Sequence, residues 1–258
     1  MLDFYSFCKE REKIRKKRLR GLPAPWTNDP ALQKYRFCNV RRRHDRVSEW
    51  LIHNAFIHGN PFDAIVARHI NLIESMEHLN FPIKSAKQVM DDLKGYDGKL
   101  YNGAYMILCP NTPGNKLYNI CKNTLRPLSK YKVIPDSIQA NVEALSKYMN
   151  IGTFMAGQIT IDWTYYLPEL MEASDLYTFA AIGPGSTRGL NRFLGRPLTQ
   201  SFRPVEFNSL LIEVRDNLVE AYPEFSDTIL HDIQNCFCEY DKYVRINEDP
   251  KRVLRLYR

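Results

Sequence analysis

The chain lacks the marks of several common protein classes. No stretch approaches the run of about 18 apolar residues that spans a bilayer, so no membrane association is expected. The opening residues, MLDFYSFCKEREKIRKK, turn charged before an apolar leader core forms. That predicts no secretion signal and a cytoplasmic setting, the host cytoplasm if the chain is viral. The six cysteines, Cys8, Cys38, Cys109, Cys121, Cys236 and Cys238, include no CxxC pair, and free buried thiols are expected. On a helix the Cys236 and Cys238 side chains would point roughly 200° apart, which removes them as joint metal ligands. The histidines show no HExxH pairing, so no metal and no cofactor is expected. No GxxxxGK[ST] loop occurs, which argues against a kinase working through a P-loop. Internal repeats and low-complexity tracts are missing as well.

What is present is a normal apolar fraction, 44%, enough to build a core, and an uneven charge. Residues 1–46 hold 14 Lys and Arg against five acids, a local charge of +9, whereas the remainder holds 22 bases against 24 acids, or −2. Such a segment attracts a polyanion by neutralising phosphates and releasing counterions. A solvated basic tail or a localisation signal has the same composition. Trp26, Tyr35, Phe37 and Asn39, interleaved with the charges, tilt the reading toward nucleic acid.

The pattern along the chain is helical. A charged helix over 9–20 is expected to break at Gly21-Leu-Pro-Ala-Pro25. Asp29 then caps a helix with Pro30 at its first position. Apolar residues Val40, Val47, Leu51 and Ala55 recur at helical spacing, and a further helix is expected near Phe62–Glu77. Ile138, Val142 and Leu145 mark one face of a helix that ends at Asn150-Ile151-Gly152-Thr153, and an apolar helix from Phe154 to Tyr166 follows at once. A glycine-rich loop, Gly183–Gly189, precedes another helix, and the last strong pattern runs from about Ser226 to Arg245. Tyr101–Cys109 fits helix or strand. The class is all-α.

Four constellations could carry chemistry. The Asn150–Thr153 turn would present backbone N–H groups at a helix N-terminus, which suits a DNA phosphate, although ordinary helix–helix turns look the same. Gln158 and Asp162 share a helix face among Met155, Ile159 and Trp163. A carboxylate in that company is costly unless it is paired or lines a cavity, so Asp162 is either a general base with a raised pKa or a structural acid bonded to a neighbouring arginine or to backbone. The Gly183–Gly189 loop, with Arg188, Asn191 and Arg192, could cradle a diphosphate between backbone N–H groups and two guanidinium forks, or be a plain turn with surface arginines. Finally, the C-terminal helix carries an apolar stripe, Leu230, Ile233, Phe237, Tyr240 and Val244, and a polar one, Asp232, Asn235, Glu239 and Lys242; the second also has the pattern of a plain solvent face.

Taken in order, Tyr35-Arg-Phe-Cys-Asn39-Val-Arg-Arg-Arg-His-Asp45-Arg46-Val47-Ser48, Ile151-Gly152-Thr-Phe154-Met-Ala156-Gly-Gln158-Ile-Thr-Ile-Asp162, Gly183-Pro184-Gly185-Ser-Thr-Arg188-Gly189-Leu190-Asn191 and Cys238-Glu239-Tyr240-Asp241-Lys242-Tyr243 resemble the α-glutamyl/putrescinyl thymine pyrophosphorylase family. That group includes amino acid:DNA transferases and the helical domain associated with 5-hydroxymethyluracil DNA kinases. The resemblance implies a fold related to helix-hairpin-helix DNA glycosylases and a bacteriophage pathway of thymidine hypermodification. The implied reaction replaces the pyrophosphate of 5-pyrophosphoryloxymethyl-deoxyuridine in double-stranded DNA with a small amine or amino acid. Phe154 and Met155 stand where lyase-type glycosylases carry a Lys, so Schiff-base chemistry is not implied. Asp175 falls at the distance past the hairpin where glycosylases place a catalytic Asp.

The resulting expectations divide the chain into a basic N-terminal arm, 1–25, and a helical catalytic domain, 26–258. Asp162 is the leading base, or it orients the incoming ammonium, with Asp175, Glu239, Asp241 and Lys242 completing the catalytic set. Gly183, Gly185, Arg188, Asn191, Arg192 and Gln158 hold substrate and pyrophosphate. Asn39, Arg42, Asp45, Arg46, Ile151, Gly152 and Thr153 contact DNA. Asp162 and Arg188 are expected to meet in one cavity. A glycosylase and a non-catalytic DNA-binding module of a modification complex are the competing readings.

Overall fold

The structure, a computed structural model, describes residues 1–101, 109 and 114–249. Among these residues every regular element is a helix. In chain order the α-helices are α1 (Phe4–Leu19), α2 (Pro30–Lys34), α3 (Arg46–Asn54), α4 (Pro61–His69), α5 (Ile73–Met76), α6 (Ala86–Asp92) and α7 (Lys116–Ile120). Then come α8 (Arg126–Leu128), α9 (Ile138–Leu145), α10 (Thr153–Trp163), α11 (Pro168–Met171), α12 (Pro184–Phe193), α13 (Pro204–Ala221) and α14 (Leu230–Glu248). None of the described helices is long and apolar enough to cross a membrane. The segment read as helix or strand, Tyr101–Cys109, lies outside the described residues apart from its two ends.

The chain divides into two compact units: a terminal unit, Met1–Asp45 with Tyr177–Arg258, and a central unit, Arg46–Leu176. In the terminal unit α1 begins at an Asp3 cap, whose carboxylate accepts the Ser6 N–H at 2.9 Å. Phe4, Phe7, Cys8 and Ile14 are then buried against Phe207, Leu211, Phe237 and Tyr240 of α13 and α14. The Phe4 and Phe237 rings stack at 4.1 Å. The first turns of the expected basic arm are therefore core. Each buried Phe is worth about 1.5–3 kcal/mol of transfer free energy, enough to fix the helix despite its charge.

In the central unit Ile138, Val142 and Leu145 of α9 are buried as their spacing predicts, and Ser137 caps the helix through the Ala140 N–H. Helix α10 is buried on nearly every side from Met155 to Trp163 and packs on α9 and α4. The segment Phe62–Glu77 is two helices, α4 and α5, separated by Ile70–Leu72.

One expectation is corrected here. Gly183–Gly189 is not a loop before a helix but the first two turns of α12. Gly183 is the N-cap, Pro184 takes the first helical position, and the Ser186 hydroxyl accepts the Gly183 N–H at 3.2 Å. The glycines serve packing. A Cβ on Gly189 would stand 2.0 Å from the Phe237 carbonyl oxygen, and one on Gly185 3.1 Å from Cys238 Sγ. Small residues one turn apart thus let α12 lie directly against the backbone of α14.

Candidate functional site

That close crossing assembles a charged cluster in the terminal unit. Arg188 and Arg192, one turn apart on α12, both reach Asp241 of α14, with Nε–O distances of 3.0 Å each. Arg245, one turn further along α14, adds a third guanidinium at 3.2 Å. Asp241 is fully buried, while Arg188 and Arg245 are 39% and 40% exposed. Arg192 also meets Glu248 at 2.8 Å, and these carboxylates hold it above the usual arginine range against the opposing effect of burial. Three cations therefore share two carboxylates, and two of the three arginine side chains are partly open to solvent. Asn191 does not join them: its amide donates to the Gln200 carbonyl at 2.8 Å and ties down the turn after α12.

A second polar group surrounds Cys38. Glu239 accepts the Cys38 N–H at 3.2 Å and lies 3.4 Å from Lys242 Nζ, which also bonds the Arg36 carbonyl and sits 4.5 Å from the Phe37 ring centre. The Asn39 N–H donates to Asp45 at 2.7 Å, Arg42 pairs with Asp45 at 3.6 Å, and the Arg42 N–H donates to Asp232 at 2.8 Å. Asn39, Arg42 and Asp45 thus brace the 36–45 segment on itself and on α14. Arg11 completes the brace with bonds to the Cys38 and Asn39 carbonyls. Burial raises the Asp45 carboxyl, partly offset by Arg42, and pushes the Cys38 thiol well up. Burial and three nearby arginines push His44 down to about 4. Cys238 lies within electrostatic reach of Glu239, Asp241 and Arg188, and burial pushes its thiol up to about 12.

In the central unit Asp162 is fully buried, and both its oxygens are taken by the Arg68 fork, which also donates to Ser48 at 3.1 Å. Gln158, one turn earlier, is buried beside the same apolar residues. Asp175 caps α9: it accepts the Ile138 N–H at 2.7 Å, the Gln139 N–H at 2.8 Å and the Ser137 hydroxyl at 3.1 Å. In the Asn150–Thr153 turn the left-handed residue is Asn150, with φ of 67°, and its amide bonds Thr124 at 3.0 Å. Ile151 is buried, Gly152 is the N-cap, and among the described residues no side chain caps α10. Arg46 is exposed and lies 3.7 Å from Glu74. Asp162 and Arg188 fall in different units, each paired within its own.

The chain matches the model of the family described as 5-hmdU DNA kinase, helical domain, over residues 1–252. It belongs to this family. Comparison with curated proteins and with solved structures gives no match. Family membership ties the chain to the modification of thymidine in DNA, and the matched span runs through both units of the helical domain.

Within this 5-hmdU DNA kinase helical domain, sequence reasoning missed Arg68, Arg245, Arg11 and Arg41. Arg68 carried a signal: a guanidinium inside the apolar run Ile65-Val-Ala-Arg-His-Ile70 needs an anion, as Asp162 needs a cation. Arg245 carried one too, four residues after Asp241. Arg11 and Arg41 were hidden in a basic segment, where nothing separates a buried arginine from a solvated one.

Proposed function

We propose that this helical domain is a transferase acting on double-stranded DNA that carries 5-pyrophosphoryloxymethyl-deoxyuridine, exchanging the diphosphate for an amine or amino acid. The observation that carries the reading is the trio Arg188, Arg192 and Arg245 on Asp241. It holds more cation than Asp241 and Glu248 neutralise, with guanidinium edges facing outward as a departing diphosphate needs. The amine nitrogen attacks the exocyclic methylene carbon and forms the C–N bond. The C–O bond to diphosphate breaks, and the diphosphate leaves with the electron pair. Glu239, on the same face of α14 as Lys242 and near Asp45, takes the ammonium proton. Gly183 and Gly185 set the α12–α14 approach that aims the arginines, and Asn191 secures the end of α12. Asp162, Gln158 and Asp175 support the central unit, whose Ile151–Gly152–Thr153 turn and Arg46 approach the DNA backbone. Asn39, Arg42 and Asp45 hold the 36–45 segment in place for the target base, which leaves the stack to react.

The test is incubation of the protein with duplex containing the pyrophosphorylated base and a mixture of amines and amino acids, followed by mass analysis of the nucleosides. An amine adduct with release of one diphosphate is expected, and Arg188→Ala with Arg245→Ala should lower its yield by about 100-fold. Free base without adduct would replace the reading with a glycosylase.

A second reading has its own support. The acids expected to serve as base are each engaged: Asp162 by Arg68, Asp175 by the α9 N-terminus, Asp241 by three arginines, and Glu239, the acceptor proposed above, by the Cys38 N–H and Lys242. A domain that only holds DNA for a partner enzyme needs no free base. DNA binding with neither adduct nor free base would favour it.

A further inference from the structure

The 14 basic residues of 1–46 are not equivalent once folded. Arg11, Arg41 and Arg42 are buried and spent on carbonyls and acids. Lys9, Arg15 and Arg43 are paired with Glu224, Glu12 and Asp227. Lys17 donates to the Trp26 carbonyl at 2.6 Å, the Trp26 indole N–H donates to the Leu22 carbonyl at 2.7 Å, and Arg18 lies over the Trp26 ring. These contacts tie residues 21–26 back to the end of α1.

Lys13, Lys16 and Arg20 are held more loosely; Lys16 lies only within electrostatic reach of Glu224, the acid that Lys9 pairs with. All three are exposed, and their spacing of three and four residues stacks them on the side of α1 opposite Phe4, Phe7, Cys8, Arg11 and Ile14. Lys13 has Glu10 nearby, at 3.6 Å, and an exposed pair of that kind binds its cation weakly. The stripe spans about 10 Å along the helix axis. Basic residues in a last turn offset the helix dipole, but that needs only about half a charge. Three cations in a row on a fixed helix exceed it.

We propose that this face of α1 is a docking surface for duplex DNA, with Lys13, Lys16 and Arg20 on successive backbone phosphates. The occupant follows from charge: a regular polyanion meets a regular row of cations whose helix is already anchored, so little ordering cost falls on binding. From the proposed function this takes only that DNA is the partner, and its test involves no transfer chemistry.

The probe is a fluorescein-labelled 30-base-pair duplex of unmodified sequence, titrated by anisotropy across a salt series. The triple variant Lys13→Ala/Lys16→Ala/Arg20→Ala should bind about tenfold or more weakly at low salt. Its plot of log affinity against log salt should flatten by about 2–3, close to 0.9 for each phosphate no longer neutralised. A charge-matched variant, Lys84→Ala/Lys94→Ala/Lys99→Ala, removes the same three charges from exposed positions of the central unit and should leave the slope near that of the parent. Equal losses in both triples would reduce the effect to net charge and overturn the proposal. An unchanged slope in the α1 triple would overturn it too, and would leave the stripe to an acidic protein partner. Because unmodified DNA is the ligand, a failure of transfer and a failure of this docking are read separately.

Discussion

Asp162 in the central unit and Asp241 in the terminal unit are both fully buried carboxylates on helices, and both are held by arginine. Their surroundings differ. Arg68, 2% exposed, closes over both oxygens of Asp162, and the charges cancel one for one inside the core. Asp241 is the back wall of a group whose guanidiniums reach solvent and outnumber their carboxylates. A sealed pair fixes packing and offers nothing to a ligand. An over-supplied, half-open group keeps attraction to spare. The useful distinction is therefore how many cations share the buried acid and whether their outer edges are open, not the burial of the acid.

The comparison breaks most directly by removing one partner. Arg68→Met should leave Asp162 uncompensated and cost about 3–5 kcal/mol of stability. Asp241→Asn should cost less, about 1–3 kcal/mol, because its arginines can turn toward water. Urea denaturation followed by circular dichroism measures both. Equal losses would mean that the arginine cluster is as structural as the Arg68 pair. A Leu at 162 combined with Met at 68 should recover much of the first loss, since well-packed apolar side chains commonly replace a buried pair without penalty.

Glycine gives the next contrast. Gly189→Ala forces a methyl group onto the Phe237 carbonyl and should cost about 1–3 kcal/mol or more, with Arg188 and Arg192 displaced from Asp241. Gly152→Ala meets nothing within 4 Å and has an ordinary φ of −86°, so it should cost no more than about 1 kcal/mol, the preference of an N-cap for Gly over Ala. The same measurement on both variants separates a packing glycine from a turn glycine.

Titration sharpens the comparison further, because each unit holds an acid and an imidazole whose shifts have opposite consequences. Burial raises Asp232 in the terminal unit and Asp63 in the central unit to about 6, above the ordinary 3.8. Between those values the folded chain holds protons that the unfolded chain releases, so these acids lower stability as pH rises from 3.8 to about 6. His44, pushed down to about 4, and buried His69, also lowered, act the other way: the unfolded chain binds their protons first, so they add stability as pH rises toward 6.5. The parent should therefore show a muted pH dependence across this window. His44→Gln should expose the downward slope of the acids, and Asp63→Asn should tilt it upward, as read from urea midpoints at pH 4, 5, 6 and 7.

Much of the helical architecture was legible in the sequence because the periodic apolar faces of α9 and α14 and the Asp29-Pro30 start are local signals. The arginines on Asp241 were half legible: Arg188 and Arg192 were singled out, but as part of a phosphate loop. Glycines one turn apart read equally well as loop or as helix-packing face, and only the partner backbone, that of Phe237, decides between them. The buried role of Arg11, Arg41 and Arg42 was not legible, since composition counts charges without their partners. That Asp162 could be held by an arginine was legible; that the arginine is Arg68, 94 residues away in sequence, was not, although both sit in apolar runs that demand a partner.

The smallest effect concerns Arg46, at the first position of the central unit. Its pair with Glu74 is long, 3.7 Å, and both side chains are mostly exposed, so Arg46→Ala should change stability by less than about 0.5 kcal/mol. Its effect on DNA is more telling. A cation this weakly held at home is free to meet a phosphate, and removing one such cation should flatten the salt dependence of duplex binding by about 0.9. That outcome would place DNA binding on the central unit as well as on α1. A slope equal to the parent's would confine it to other residues, since a charge so exposed has no competing partner strong enough to mask a real phosphate interaction.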